Sequence, residues 1–336
     1  MIHFFWNQTY AAVRWTAPAH PGSGGGKLCA NSEIAWHMAE GIKARFGAAA
    51  VKLHSMGTAE VGATEDDVLV GHIGPWANIA LERQWRRIVP IIGWPSELKH
   101  PYDRFSLHEA HLSVLRRAPS FVALCGAWVW EHSAQDPVLA RFRKKAVQAP
   151  LGFSRDLFPQ VKRSFNPPGQ RGFLYVGQVS EQKGVGYVDG ILAELGYRYL
   201  IGNGEWATGK RSAHCEVTGW LDNADAPTWV RLAEQADFFV CATQWDCQPV
   251  APLENISRGF VPMLTPANCF ETSIPLTGQH AEDRETFERW QNAPEAELVE
   301  MQAKAMDGLA ELKWETTLDV IAKEIEERMS GEALRT

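Results

Sequence analysis

The sequence predicts an α/β protein built from two doubly wound domains in tandem. Three observations carry this. At 336 residues the chain exceeds one ordinary hydrophobic core and suits two domains of about 150 residues each. Short β-rich runs alternate with helical patterns throughout, the rhythm of parallel sheets covered by helices. That rhythm breaks at "KRSFNPPGQRG" (162–172), where adjacent prolines and a glycine in a polar stretch read as an interdomain linker.

The elements follow in order. "IHFFWN" (2–7) is a first strand, and the glycine loop "GSGGGK" (22–27) leads into the helical periodicity of "CANSEIAWHMAEGIKARFG". Further strands are "VKLHSM" (51–56), "DDVLVGHIG" (66–74), "RRIVPIIGW" (86–94) and "SFVALCG" (120–126), with a helix over "SLHEAHLSVLRRA" before the last. After the break come strand "GFLYVG", a helix from about Tyr187, strands "YRYLIG" and "CEVTGW", helix "APTWVRLAEQA", strand "DFFVCAT", a helix from about Val250 and strand "VPMLT". The tail from about Asp283 is helical and charged, and its last helix, about 315–329, is amphipathic and must pack somewhere. The expected domains are residues 1–160 completed by the C-terminal helix (about 315–336), and residues 170–314. Ligands in such sheets bind beyond the carboxyl ends of the strands.

Composition bounds the class. Hydrophobic content of 45% and charged content of 22% are those of a soluble globular protein. No apolar run reaches the roughly 18 residues of a membrane span, and "MIHFFWNQTY" does not read as a signal peptide. The six cysteines form no CxxC pair and read as reduced thiols of a cytoplasmic protein. Residues 1–150 carry 16 basic and 12 acidic residues, the remainder 17 and 28, so a basic half precedes an acidic one. Halves of different electrostatic character imply different ligands.

Four motifs are candidates for chemistry. The glycine loop fails as a nucleotide-triphosphate loop, since Pro21 stands where that signature needs Gly and Leu28 where it needs Ser or Thr. It still lets backbone N–H groups approach an anion at a helix start; a plain surface loop is the alternative. "IGNGEWA" (201–207) is a weak dinucleotide fingerprint that Thr208 and Gly209 cut short of a helix. In "VGQVSEQKGVGYV" (176–188) a strand ends at Gly177 and Lys183 opens a helix, where its charge serves a phosphate unless it is merely solvated. In "TQWDCQPVAPLENISRG" (243–259), Asp246 and Glu254 follow a strand end, eight residues apart. Helix capping accounts for either acid. Yet a carboxylate also accepts two hydroxyl hydrogen bonds, as the vicinal diols of ribose and sugars offer, and the intervening amides suit phosphates.

Together these blocks resemble the retaining GT-B glycosyltransferases of the family-4 type. "FLYVGQVSEQKG", "YLIGNGE" and "ADFFVCATQWDCQPVAPLENISRGFVPMLT" match in order and spacing, the last being similar to that family's Glu-x7-Glu segment. "APLGFSRDLFP" (149–159) is similar to its stretch before the linker, and His72 aligns with its strand-end histidine. The resemblance implies two Rossmann-like domains facing across a cleft. It implies a UDP- or GDP-linked sugar donor on the second domain, and neither a metal nor a further cofactor. Glu254 would hold ribose hydroxyls, Asp246 sugar hydroxyls and Lys183 the diphosphate, with His72 beside the sugar. Gly24, Gly25, Gly26, Gly177, Gln178, Gly204, Cys247 and Gln248 would line the donor.

Three departures stand out. Gln178 replaces the family's arginine, leaving Lys210 or Arg211 as substitutes; Asp246 is shorter than Glu; and Cys247 replaces Gly. The acceptor is expected on the first domain, where "ERQWRR" (82–87), "LRRAPS" (115–120) and "RFRKK" (141–145) suit an anionic lipid, a phosphorylated glycan or a nucleic-acid backbone; solvated helix faces are the alternative. A lipid acceptor would place the protein peripherally at a membrane, and no obligatory protein partner is visible. Two rival classes share the architecture: a GT-B isomerase or phosphorylase, and a non-catalytic nucleotide-sugar-binding protein.

Overall fold

The computed structural model describes residues 1–5, 30–54, 64, 66–73, 80, 85–95, 109–202 and 210–331. The chain divides into two compact units, Met1–Gly152 with Lys313–Thr336, and Phe153–Leu312. The first holds β1 (Ile2–Phe5), β2 (Val51–His54), β3 (Val68–His72), β4 (Ile88–Gly93), β5 (Phe121–Leu124) and β6 (Ala146–Ala149). All pair in parallel, in the order β2-β1-β3-β4-β5-β6. The second holds β7 (Phe173–Val176), β8 (Tyr199–Gly202), β9 (Cys215–Gly219), β10 (Phe238–Cys241), β11 (Val261–Leu264) and β12 (Ile274–Pro275), also parallel, in the order β12-β11-β10-β7-β8-β9.

Both sheets are doubly wound. Read from β9, the second has the strand order 3-2-1-4-5-6 of a Rossmann sheet, and its direction of winding reverses between β7 and β10. In the first unit the reversal lies between β1 and β3. Strands such as "FLYV" and "FFVC" are buried along their length, as continuous apolar runs covered on both faces should be. Among the described strands and α-helices, four were not anticipated: β6, β12 and the helices Ala127–Ser133 and Pro137–Arg143. All are short, and "AVQA" carries too little pattern to stand out. Trp94 Nε1 donates to Ser133 Oγ at 2.8 Å and ties the first of those helices to the end of β4.

The amphipathic C-terminal helix, Trp314–Ser330, packs into the first unit. Arg328 Nε donates to the carbonyl of Ile88 at 3.2 Å, and its Nη2 pairs with Glu324 at 3.0 Å. Thr317 Oγ1 donates to the Pro150 carbonyl at 2.6 Å, and the ring of Trp314 stacks on His37 with centroids 4.6 Å apart. Gly41 lies close beneath it: a Cβ there would sit 2.3 Å from Leu318 Cδ1, so the leucine side chain would have to shift.

The stretch 162–172 does not run loose as a linker; it is packed within the second unit. Lys162 is 2% exposed and its Nζ lies 2.6 Å from the carboxylate of the fully buried Asp237. The same carboxylate accepts from the Asn166 amide nitrogen and side chain, each at 2.9 Å, and from the backbone of Gly172 at 3.3 Å. Arg171, also buried, donates to the carbonyls of Asn166 and Trp290. Polar residues are tolerated here because Lys162 and Asp237 pair with each other and Arg171 donates to backbone carbonyls. Lys162→Ala leaves the Asp237 charge buried without its cation, and should lower the stability of the second unit by about 3–5 kcal/mol in urea unfolding.

Candidate functional site

The site is assembled where the winding of the second sheet reverses. β7 ends at Val176, and Gly177 follows with φ 144°. The Tyr175 hydroxyl donates to the Gln178 carbonyl at 2.8 Å and shapes the turn. Gly184, at φ 68°, then opens the helix Val185–Leu195; a Cβ there would lie 2.4 Å from the carbonyl oxygen of Ala242, which follows β10. The two loops thus press together through a residue that only glycine can supply. The backbone of Gln244 donates to the Gln182 carbonyl at 3.0 Å, and the Gln182 side chain donates to the Trp245 carbonyl.

This seam brings Lys183 to Asp246, and the two form an ion pair with side chains 20% and 11% exposed. Burial works against the lysine's charge, but the Asp246 carboxylate outweighs it and holds Lys183 above the usual lysine range. Asp246 Oδ1 accepts from the backbone of Cys247 at 2.8 Å and from its thiol at 3.6 Å. Gln248 is buried beside them in sequence.

Neither acid caps the helix Val250–Ser257. Its N-cap is Pro249, with no side-chain cap, and Glu254 lies a full turn inside. Glu254 is 5% exposed. Its Oε2 accepts from Asn223 Nδ2 at 3.4 Å, and Asn223 Oδ1 accepts from Arg258 Nη2 at 2.9 Å. The Arg258 guanidinium lies 3.6 Å from the centroid of Trp229 and 4.9 Å from that of Phe158. Burial raises the Glu254 carboxyl above its ordinary range, while Arg258 and Asn223 pull it back. Sequence reasoning missed Asn223, Trp229 and Arg258. Only Arg258 left a signal, one helical turn after Glu254; Asn223 comes from the loop after β9.

Of the other expected site residues, Gln178 is exposed at the carboxyl end of β7. Lys210 and Arg211 are exposed on the approach to the amino end of β9, and Ser212 beside them donates to Asp189 at 2.6 and 2.8 Å. They stand at the other end of the sheet and do not replace the charge absent at 178. His72 closes β3, half-buried, at the reversal point of the first sheet. Gly24, Gly25, Gly26 and Gly204 lie outside the described residues.

The basic clusters expected to meet an acceptor gather around the amino ends of β4, β5 and β6. Several are committed to local structure. Lys145 Nζ donates to the carbonyls of Arg116 and Ala118, Arg87 to that of Asp66 and Arg117 to that of Trp85. Arg143 stacks over Trp130 at 4.4 Å and pairs with Glu131 at 3.3 Å. Arg116, Arg117, Arg141 and Lys144 are exposed there. Among the described residues, no group of three or more His, Cys, Asp or Glu side chains is placed to hold a metal ion, and no helix is long and apolar enough to cross a membrane.

No family model and no curated protein matches the sequence. Solved structures match the fold. Sucrose-phosphate synthase from Thermosynechococcus elongatus superposes with a TM-score of 0.67 at 10% identity, over 98% of this chain and 99% of that one. A UDP-forming α,α-trehalose-phosphate synthase from Burkholderia xenovorans gives 0.57 at 13% identity, over 79% of this chain and 74% of that one. S. aureus TarM, as a G117R mutant in complex with fondaparinux, α-GlcNAc-glycerol and UDP, gives 0.56 at 8% identity, over 79% of this chain but only 56% of that one. At such identities the likeness speaks for the fold, which is the two-domain Rossmann-like GT-B fold of these glycosyltransferases.

The buried acid makes a signed prediction. Since the folded-state carboxyl titrates above its unfolded value, Glu254 stabilises the fold at low pH, and that contribution is lost as pH rises through the raised value. Glu254→Gln should therefore raise the melting temperature at pH 7.5 by roughly 2–4 °C, and the gain should vanish toward pH 4.

Proposed function

We propose that the chain is a glycosyltransferase that moves a sugar from a nucleotide-diphosphate donor to an acceptor hydroxyl, with the donor on the second unit and the acceptor on the first. One observation supports this most directly. Lys183, Asp246 and Cys247 converge at the β7/β10 reversal point, the place where doubly wound sheets take nucleotides. Glu254, one turn into the following helix, is a buried acid held, among the described residues, without a direct ion pair, as a residue receiving two ribose hydroxyls would be. The neighbours named as UDP-forming or complexed with UDP favour a uridine donor over a guanosine one.

Each residue then has a task. Glu254 accepts from the ribose diol, Asp246 from hydroxyls of the transferred sugar, and Lys183 faces the diphosphate while keeping Asp246 as its other neighbour. Placed so, Lys183 stabilises the charge that develops as the bond between the anomeric carbon and the phosphate oxygen breaks. The acceptor oxygen bonds to that carbon from the same face, and its proton passes to the departing phosphate. The sugar configuration is retained, and neither a protein nucleophile nor a metal is required. Gly177 lines the diphosphate.

A second reading, a nucleotide-sugar-binding protein without turnover, is favoured by one observation: among the described residues, Lys210 and Arg211 lie at the amino end of β9, the opposite end of the sheet from Gln178. Screening melting temperature against UDP, GDP and their sugars, followed by release of nucleoside diphosphate, separates the readings. Stabilisation with transfer supports the enzyme, stabilisation alone supports the second reading, and no stabilisation overturns both. Glu254→Ala should abolish the shift by free nucleotide. Asp246→Asn should leave that shift intact or enlarge it, because it releases Lys183, yet cut transfer by about 100-fold; equal loss of both would refute the assigned roles.

A further inference from the structure

We propose that Arg258 is a positioning residue of the donor site, which acts through Asn223 and through its own charge to keep the Glu254 carboxyl ionised and ready to accept hydrogen bonds. This rests on the reading that Glu254 receives the ribose hydroxyls.

The observations are geometric. Arg258 follows Glu254 by one helical turn and is 2% exposed, in a part of the chain rich in large apolar side chains. A buried arginine ordinarily sits against a carboxylate. Here the Asn223 amide stands between the two, donating to Glu254 Oε2 at 3.4 Å and accepting from Arg258 Nη2 at 2.9 Å. Among the described residues nothing accepts from Arg258 Nη1, so structure alone has not consumed the donors of this guanidinium. Its planar face is clamped by Trp229 at 3.6 Å and Phe158 at 4.9 Å, which fixes a long side chain at little hydrogen-bonding cost. Trp229 in turn donates through Nε1 to the carbonyl of Asp222 at 3.0 Å, holding the loop that presents Asn223. The segments carrying Asn223, Trp229 and Phe158 therefore converge on the helical turn that holds Glu254 and Arg258.

The carboxyl needs such support. Burial favours its neutral form, and the groups acting against that are Arg258 and Asn223. The cation is weakened in its own right, its value brought down by burial to about 10, with Glu254 acting to restore it. Of the other charged groups near the helix Val250–Ser257, Lys162 and Asp237, flanking β10, pair with each other. On the helix Glu295–Leu309, Lys304 pairs with Glu300 at 2.7 Å. A neutral Glu254 would present one O–H donor and lose half its accepting capacity toward a diol.

The test follows UDP affinity from pH 6 to pH 9 in the wild type, Arg258→Gln, Arg258→Lys and Asn223→Ala. Arg258→Gln should bind UDP about tenfold more weakly at pH 6.5, with the deficit closing as pH rises and the carboxyl ionises without help. Arg258→Lys, which keeps the charge, should stay within about threefold of wild type, in line with a charge effect. Asn223→Ala, on the half-exposed loop, should shift the profile in the same direction by less, and decides the matter if Arg258→Gln fails to fold. A second readout needs no nucleotide: the 13C resonance of the Glu254 carboxyl, assigned by its loss in Glu254→Gln, should titrate at higher pH in Arg258→Gln and in Asn223→Ala. Parallel affinity profiles with an unmoved carboxyl titration would overturn the proposal. A moved titration with no UDP or GDP binding in the wild type would leave Arg258's effect on Glu254 standing and overturn the donor role assigned to Glu254.

Discussion

Parallel pairing of β10 against β7 fixes everything else in the second unit's site. The register Phe238↔Phe173 sets two strand ends side by side although 65 residues of chain separate them. Because the strands point the same way, the loops that leave them emerge at one edge of the sheet. Because the winding reverses there, the two following helices go to opposite faces and leave the crevice between their first turns open. Gly184 against Ala242 closes the gap between the loops to contact distance. The Lys183–Asp246 pair is a product of that closure.

Two ion pairs and one separated pair of buried charges in this unit differ in how fully they are matched. Lys162 and Asp237 are fully matched: backbone and side-chain donors surround the acid, and Lys162 also donates to the Ala233 carbonyl at 2.7 Å. Lys183 and Asp246 retain partial exposure, and so can exchange partners. Glu254 and Arg258 are both buried and do not touch; an amide stands between them. The desolvation cost of the last arrangement is offset only in part within the protein. On the proposed reading, ribose hydroxyls would make up that deficit when the donor binds.

Much of the fold was legible in the sequence because its strands are dense in Val, Ile, Leu and Phe and its helices have clear periodicity. The spacing of Asp246 and Glu254 was legible for the same reason: it lies within one loop and one helix. What escaped notice depended on partners far away along the chain. The stretch 162–172 has the composition of a linker, and nothing local reveals that Lys162 and Arg171 are drawn inward by Asp237 and by carbonyls near residue 290. Asn223 resembles any loop asparagine until β9 carries it to Glu254. The capping explanation for the two acids was locally sound and yielded to backbone geometry, since a proline occupies the N-cap.

The last helix of the chain carries a consequence for the order in which the molecule forms. The second unit is continuous from Phe153 to Leu312, whereas the first takes in Lys313–Thr336 as well as Met1–Gly152. Arg328 reaches the carbonyl of Ile88, a contact across 240 residues of sequence. During synthesis the sheet formed by Met1–Gly152 therefore waits, with the ground for Trp314 and Leu318 uncovered, until the intervening unit has left the ribosome. A nascent chain of this kind has a complete second unit before the helix Trp314–Ser330 can seal the first.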